Sequence, residues 1–169
     1  AAFGTAGFKV ICVDPTPPVT DGAAQGADLR STAMLQPARV LLERAGLWDT
    51  LAPFAAPLQV MRIIDAGGAE AEPRVTREFD ASEISDAPFG WNFPNWLLRR
   101  EILARLAQLE NVDFRAGIST TQLFTRTNTA KVTLSDGTRV QTQLVIAADG
   151  RTSPMRAASG IGIHTQRYG

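Results

Sequence analysis

Leu144-Val145-Ile146-Ala147-Ala148-Asp149-Gly150-Arg151-Thr152-Ser153-Pro154-Met155-Arg156 is the stretch that decides the fold. Its opening apolar run reads as a buried strand that stops at Asp149-Gly150. Ser153-Pro154 follows, a hydroxyl that caps a helix and a proline that suits the first turn, so a helix is expected to open there. A carboxylate, a glycine turn and a helix N-terminus then converge on one spot. That set of acceptors and backbone donors suits the ribose or diphosphate of a nucleotide.

Upstream of this stretch, Ile118–Thr127, Ala130–Ser135 and Thr138–Ala147 read as strands joined by short turns, and Asp136-Gly137 is the strongest hairpin signal in the chain. Val112–Arg115 reads as the strand before them. The helix Trp96–Leu109 carries Leu98, Ile102, Leu106 and Leu109 at helical spacing, with Asn95 as its expected cap. Phe89, Trp91 and Phe93 repeat at period two. Leu58–Ile64 and Arg74–Phe79 alternate as strands around Gly67-Gly68 and an acidic loop, which implies a mixed sheet. Pro15 to Gly26 is a loop by its Pro, Gly and Thr content. Asp28-Leu29-Arg30-Ser31-Thr32-Ala33-Met34 is expected to lead into a helix with Pro37 in its first turn and its end near Gly46. Val40, Leu41 and Leu42 form its apolar face, and Leu47, Trp48 and Leu51 continue that face into a second short helical turn. All are expected in the core.

At the other end, Ala1-Ala2-Phe3-Gly4-Thr5-Ala6-Gly7 reads as the tail of a helix closed by a glycine. The strand Phe8–Val13 follows, then Asp14. In a dinucleotide-binding βαβ unit this order is that of the crossover helix, the second strand and the acid that takes the ribose hydroxyls. The first strand and its glycine loop are expected to lie outside this sequence. Val112–Arg115 would then neighbour Phe8–Val13, and the place of the absent strand is expected either as an empty slot beside Ile11 and Ile146 or as a gap closed by another chain.

Composition excludes several classes. The chain has 169 residues, enough for about one domain, and its 17 basic and 17 acidic residues give no charge excess to attract nucleic acid. Its longest apolar runs fall far short of the roughly 20 residues of a membrane-spanning helix, and no signal peptide opens it, so a cytoplasmic setting is expected. Cys12, the one cysteine, lies in a β-branched run and is expected to be a buried structural thiol. His164 has no acid or nucleophile at catalytic spacing. Nothing in the sequence has the spacing of a metal cluster or a nucleophile site.

Asp149-Gly150 through Ser153 and Arg156 resembles the "ADGxxSxxR" segment of the flavoprotein aromatic hydroxylases. Asp28 to Met34, Leu42 through Gly46-Leu47-Trp48, and Phe89-Gly90-Trp91-Asn92 through Asn95 narrow the resemblance to the ubiquinone-biosynthesis hydroxylases of the UbiH type. It covers essentially the whole chain, with Ala147 where many members of the wider class carry glycine. The fold it implies is α/β: a Rossmann-like parallel sheet of the FAD-binding, glutathione-reductase type, with an antiparallel β-meander and part of a β-sheet substrate domain. Residues 1–169 would be one partial FAD-binding domain, with 57–95 contributing strands of the substrate domain. The implied activity is FAD-dependent monooxygenation, in which NAD(P)H and O2 serve to hydroxylate a polyprenylated phenol. The chain by itself is expected to be inactive. The alternatives are another FAD enzyme of the same fold, such as a halogenase, epoxidase or reductase, and a non-catalytic remnant. A small-molecule prenylphenol is the expected partner; peripheral membrane association of the parent and the oligomeric state stay open.

The resemblance also implies site residues. Asp14 would accept from the adenosine ribose, although its position equally suits an Asp that starts a turn before Pro15. Arg30 would approach the flavin or the diphosphate, the alternative being a surface partner for Asp28. Arg99 and Arg100 both sit in the first turn of a helix, where the macrodipole disfavours cations by roughly 0.3–1 kcal/mol, so a nearby anion would explain them. The family carries one arginine here, and Arg100 is preferred, unless it leans on Glu101, Glu110 or solvent. Asp149 and Gly150 would touch the ribitol or ribose region of FAD, with Arg156 holding the loop. Phe89, Trp91, Phe93 and Trp96 read as sheet core, on the segment that in this family lies toward the substrate.

Overall fold

Gly7, at φ +90°, closes a short opening helix and turns the chain into its first strand. The structure, a computed structural model, describes residues 1–67 and 72–167. In chain order the elements are α1 Ala2–Thr5, β1 Val10–Asp14, β2 Ser31–Leu35, α2 Gln36–Arg44, α3 Trp48–Leu51, β3 Ala56–Pro57, β4 Val60–Gly67, β5 Glu72–Asp80, β6 Gly90–Pro94, α4 Asn95–Ala107, β7 Val112–Ala116, β8 Thr120–Thr125, β9 Ala130–Leu134, β10 Arg139–Thr142 and α5 Pro154–Ala158. Single 3₁₀ turns lie at Ala52–Phe54 and Ala81–Glu83. Gly68 and the acidic loop after it lie outside the described residues.

The chain forms two units, one of Ala1–Ile11 with Pro18–Phe114 and one of Cys12–Pro17 with Arg115–Gly169. β1 pairs with β7, as expected. The Val10 N–H donates to the Asn111 carbonyl at the start of the pair and Gly117 N–H donates to the Asp14 carbonyl at its end. Both strands advance together between these bonds, so the pair is parallel.

In the first unit, β2, β6 and β3 form one antiparallel sheet and β4 pairs with β5. The core gathers Ala45, Leu47, Leu51, Phe93 and Leu98, with Trp48 and Trp91 packed against it. Phe93 is wholly buried, and Trp48 meets Trp91 and Phe93 edge to face at centroid distances of 5.1 and 6.3 Å. Phe93 and Trp91 therefore serve the core, as expected, whereas Phe89 and Trp96 are half-buried outside that cluster, Trp96 against Gly22.

Several expectations are corrected. The helix with Pro37 in its first turn is present as expected, from Gln36 to Arg44, and the residues that lead into it, 31–35, form a strand that was not expected, because each pairs with β6 in register from Ser31↔Pro94 to Leu35↔Gly90. Val40 and Leu41 are exposed, at 45% and 56%, since α2 turns toward the core through Leu42. Asn95 does not cap α4: Pro94 holds the cap position and the Asn95 side chain is engaged elsewhere. Cys12 is half-buried, and partial burial pushes its thiol pKa up.

In the second unit, β8, β9 and β10 form the expected meander, joined by the Asp136-Gly137 turn with Gly137 at φ +85°. Ala130, Val132, Leu134 and Met155 are buried. Leu144–Ala148 is not a strand. The Thr142 hydroxyl accepts from the Leu144 N–H and donates to the Leu144 carbonyl, which takes both ladder groups of the residue that should begin it. Ile11 and Ile146 are both exposed, and among the described residues β1 ladders with β7 and no other strand.

Candidate functional site

Pairing of β2 with β6 joins two stretches about sixty positions apart. Their register carries Asp28 and Arg30, just before β2, to the first turn of α4. Asn95 N–H donates to the Arg30 carbonyl at 2.8 Å. The Asn95 side chain accepts from the Thr32 hydroxyl at 2.5 Å and donates through Nδ2 to Asp28 Oδ2 at 3.0 Å.

Asp28 is the centre of this cluster. Arg30 grips it as a fork, Nε to Oδ1 at 2.9 Å and Nη2 to Oδ2 at 2.8 Å, and the Arg30 backbone N–H adds a 3.2 Å bond to Oδ1. Arg99 Nη2 reaches Oδ2 at 3.4 Å. These bonds, Arg30's first and then Asn95's, hold the Asp28 carboxyl well below the usual carboxylate range, and the carboxylate in turn pushes Arg30 up. The Asp28 side chain is 11% exposed and that of Arg30 82%. Both N–H groups of Arg30 Nη1 are without a partner among the described residues. Two cations share one carboxylate, so the cluster keeps a net positive charge facing solvent.

Arg100 is not brought into this cluster. One position on from Arg99 it is rotated about 100° around the helix. Its Nε donates to Glu101 at 2.8 Å, and its guanidinium lies 5.4 Å from the Trp96 ring and 5.6 Å from the Phe54 ring. Gly22 rests on the same indole, where a Cβ would stand 2.8 Å from Trp96 Cε2, so the loop before Asp28 closes against α4 only with glycine there.

The second unit holds the other positions. Asp14 ends β1, and its Oδ1 accepts from Thr16 N–H at 2.9 Å, as a turn-starting Asp does; Oδ2 has no partner among the described residues. Asp149 is engaged by its own loop. Oδ1 accepts from the Ser153 hydroxyl and Oδ2 from Met155 N–H at 2.9 Å, which lowers its pKa. Ser153 Oγ accepts from Arg156 N–H at 2.9 Å and so caps α5 as expected. Arg156 holds the loop through the Arg151 carbonyl. Gly150 has φ +84° and open space where a Cβ would stand. A shallow cleft beside α5, lined by Leu123, Thr129, Gln143, Val145 and Met155, uses other residues.

Thr32, Asn95 and Arg99 have roles in the Asp28 cluster that their sequence positions do not announce. Asp28 itself was legible as a partner for Arg30, and its two-residue spacing was the signal. Asn95 was placed at a helix end by its type, and Arg99 was separated from Arg100 by no local feature.

Each unit by itself carries groups that fit an anionic nucleotide cofactor: the first has outward N–H groups on Arg30, and the second has a free acceptor on Asp14 at a strand end and an open glycine turn at Gly150. Among the described residues no group of His, Cys, Asp and Glu could hold a metal ion, and no helix is long and apolar enough to cross a membrane. A parallel strand pair that ends in an acid is the α/β arrangement of domains that take such a cofactor.

The particular family is shown by comparison: the chain matches the FAD binding domain family over residues 4–168 and belongs to it. It is 35% identical over 168 residues to the ubiquinone hydroxylase UbiL of Rhodospirillum rubrum, 99% of this chain and 38% of that protein. It is 27% identical over 164 residues to the 3-demethoxyubiquinol 3-hydroxylase of Escherichia coli, 96% of this chain and 40% of that protein. The chain thus spans about two-fifths of the length of these curated relatives. The flavin-dependent monooxygenase PieE, solved in complex with FAD and substrate, shares the fold with a TM-score of 0.69 at 18% identity, over 94% of this chain and 29% of PieE.

Proposed function

We propose that this chain is the FAD-binding part of a monooxygenase that hydroxylates the ring of a polyprenylated phenol in ubiquinone biosynthesis, with NAD(P)H and O2 as co-substrates. The observation that carries the reading is likeness along nearly the whole chain to a ubiquinone hydroxylase at 35% identity. FAD, when bound, supplies the electron transfer from NAD(P)H and the activation of O2.

The chain's own residues bind and orient. Arg30 offers fixed cationic N–H donors to the diphosphate or to the anionic reduced flavin, a preorganised electrostatic role that needs no proton transfer. Arg100, stacked on Trp96 and Phe54, offers a second cation for the diphosphate. Asp14 Oδ2 accepts from a ribose hydroxyl. Asp149 keeps its carboxylate inside the loop and shapes it, so that Gly150 can lie close against the cofactor.

The test is to purify the protein that carries this chain, record its flavin absorbance, and follow a prenylphenol with NAD(P)H under O2. A yellow protein that forms hydroxylated phenol in step with NAD(P)H oxidation is expected. A colourless protein, or one that oxidises NAD(P)H and never hydroxylates a prenylphenol, would refute the proposal.

A further inference from the structure

Arg30 is an arginine with most of its side chain in solvent, yet its direction is set. Long exposed cations ordinarily keep much rotamer freedom, which a ligand must remove on binding. Here the carboxylate of Asp28 takes Nε and one N–H of Nη2 in a planar fork and leaves the Nη1 edge pointing outward. Asp28 is itself held: Asn95 Nδ2 bonds its Oδ2, Thr32 fixes the Asn95 amide from the other side, and Asn95 N–H pins the Arg30 carbonyl. Arg99 shares the same carboxylate. The chain of bonds runs from a strand residue, through the first residue of a thirteen-residue helix, to the arginine.

We infer that Asp28 is a positioning residue that, braced by Asn95 and Thr32, holds Arg30 in the direction from which it contacts FAD. This rests on the reading of Arg30 given above. Asp28 touches no cofactor in this scheme and acts only through Arg30.

The experiment uses the protein that carries this chain, as wild type, Asp28→Asn, Arg30→Ala and the double variant. Dissociation constants for FAD are read from flavin fluorescence, oxidised and after anaerobic reduction, and each variant's thermal midpoint is recorded. Charge-assisted bonds of this kind correspond to roughly a tenfold or larger change in an equilibrium constant. Asp28→Asn and Arg30→Ala are each expected to weaken one or both affinities by about tenfold, and the double variant is expected to match Arg30→Ala within about twofold, because a residue that acts through Arg30 has nothing left to act on. Arg30→Ala weakened with Asp28→Asn like wild type would overturn the inference and leave the Arg30 reading standing. Additive losses in the double variant would overturn it too, by showing that Asp28 acts independently. Wild-type affinity in Arg30→Ala would overturn the Arg30 reading, and the inference with it. If Asp28→Asn does not fold, Asn95→Ala takes its place: it removes one brace and leaves the ion pair, and it is expected to show a smaller loss that vanishes when Arg30 is also alanine. A loss that persists beside Arg30→Ala, or none at all, would count against positioning.

Discussion

Gly90→Ala tests the strand register on which the arginine cluster depends. Gly90 stands opposite Leu35 where β6 pairs with β2. A Cβ added there would lie 2.4 Å from the Met34 carbonyl oxygen, 2.8 Å from Leu35 Cα and 2.9 Å from the Met34 carbonyl carbon. All three are backbone atoms, so no side chain can rotate out of the way, and the strands must part by about 1 Å to reach ordinary contact distance. Parting is opposed on the other edge as well, where Gly90 C=O accepts from Leu58 N–H at 2.9 Å. Overpacking costs about 1–3 kcal/mol, and the backbone nature of the clash puts this case in the upper part. Loss of glycine's freedom in the unfolded chain returns about 0.4–1 kcal/mol. The net expectation is a destabilisation of about 2 kcal/mol, or about 4–8 °C in thermal midpoint for a chain of this size. Urea unfolding of wild type and variant under identical conditions measures it. A variant within about 0.5 kcal/mol of wild type would show that β2 and β6 do not meet in this register, and the placement of Asn95 against Asp28 would fall with it.

Ser153→Ala removes both the hydroxyl that donates to Asp149 and the acceptor of Arg156 N–H. Loss of an N-cap costs about 1 kcal/mol, so amide hydrogen exchange over 155–158 should speed up about fivefold; unchanged exchange would deny Ser153 the capping role. The Asp149 carboxyl has its pKa lowered in the folded state, so its contribution to stability is present above the ordinary carboxylate value near 4 and is lost as pH falls through the lower folded value. The stability advantage of wild type over Asp149→Asn should therefore be full at pH 7 and shrink at progressively lower pH below about 4, read by urea unfolding across that range; an advantage that grows on acidification would refute the assignment.

The signals that held from sequence to structure are those whose physics is local. Gly7 turns the chain with a positive φ whatever surrounds it, Asp136-Gly137 makes a hairpin from its own dihedral preferences, and Ser153-Pro154 caps a helix with its own hydroxyl. Leu98 and Leu106 reach the interior because helical spacing puts them on one face. Asp14 at the end of a strand, and Asp149 before a glycine turn, were also legible, since each position follows from its neighbours in the chain.

What only the tertiary structure decided are the pairings between distant segments. Residues 31–35 are extended because β6 offers them a ladder, which no local pattern announces. Leu144–Ala148 stays out of any sheet because, among the described residues, no distant strand ladders with it. Asn95 is a bridge between Asp28 and Thr32 because β2 lies beside it, although its residue type equally suits a helix cap. Arg99 and Arg100 are indistinguishable by composition, and the rotation of one residue along α4 sends the first to Asp28 and the second to Trp96. Local chemistry names the residues able to meet an anion; the register of two strands determines which of them share a carboxylate, because a hydrogen bond needs its partners within about 3 Å and sequence separation does not set that distance.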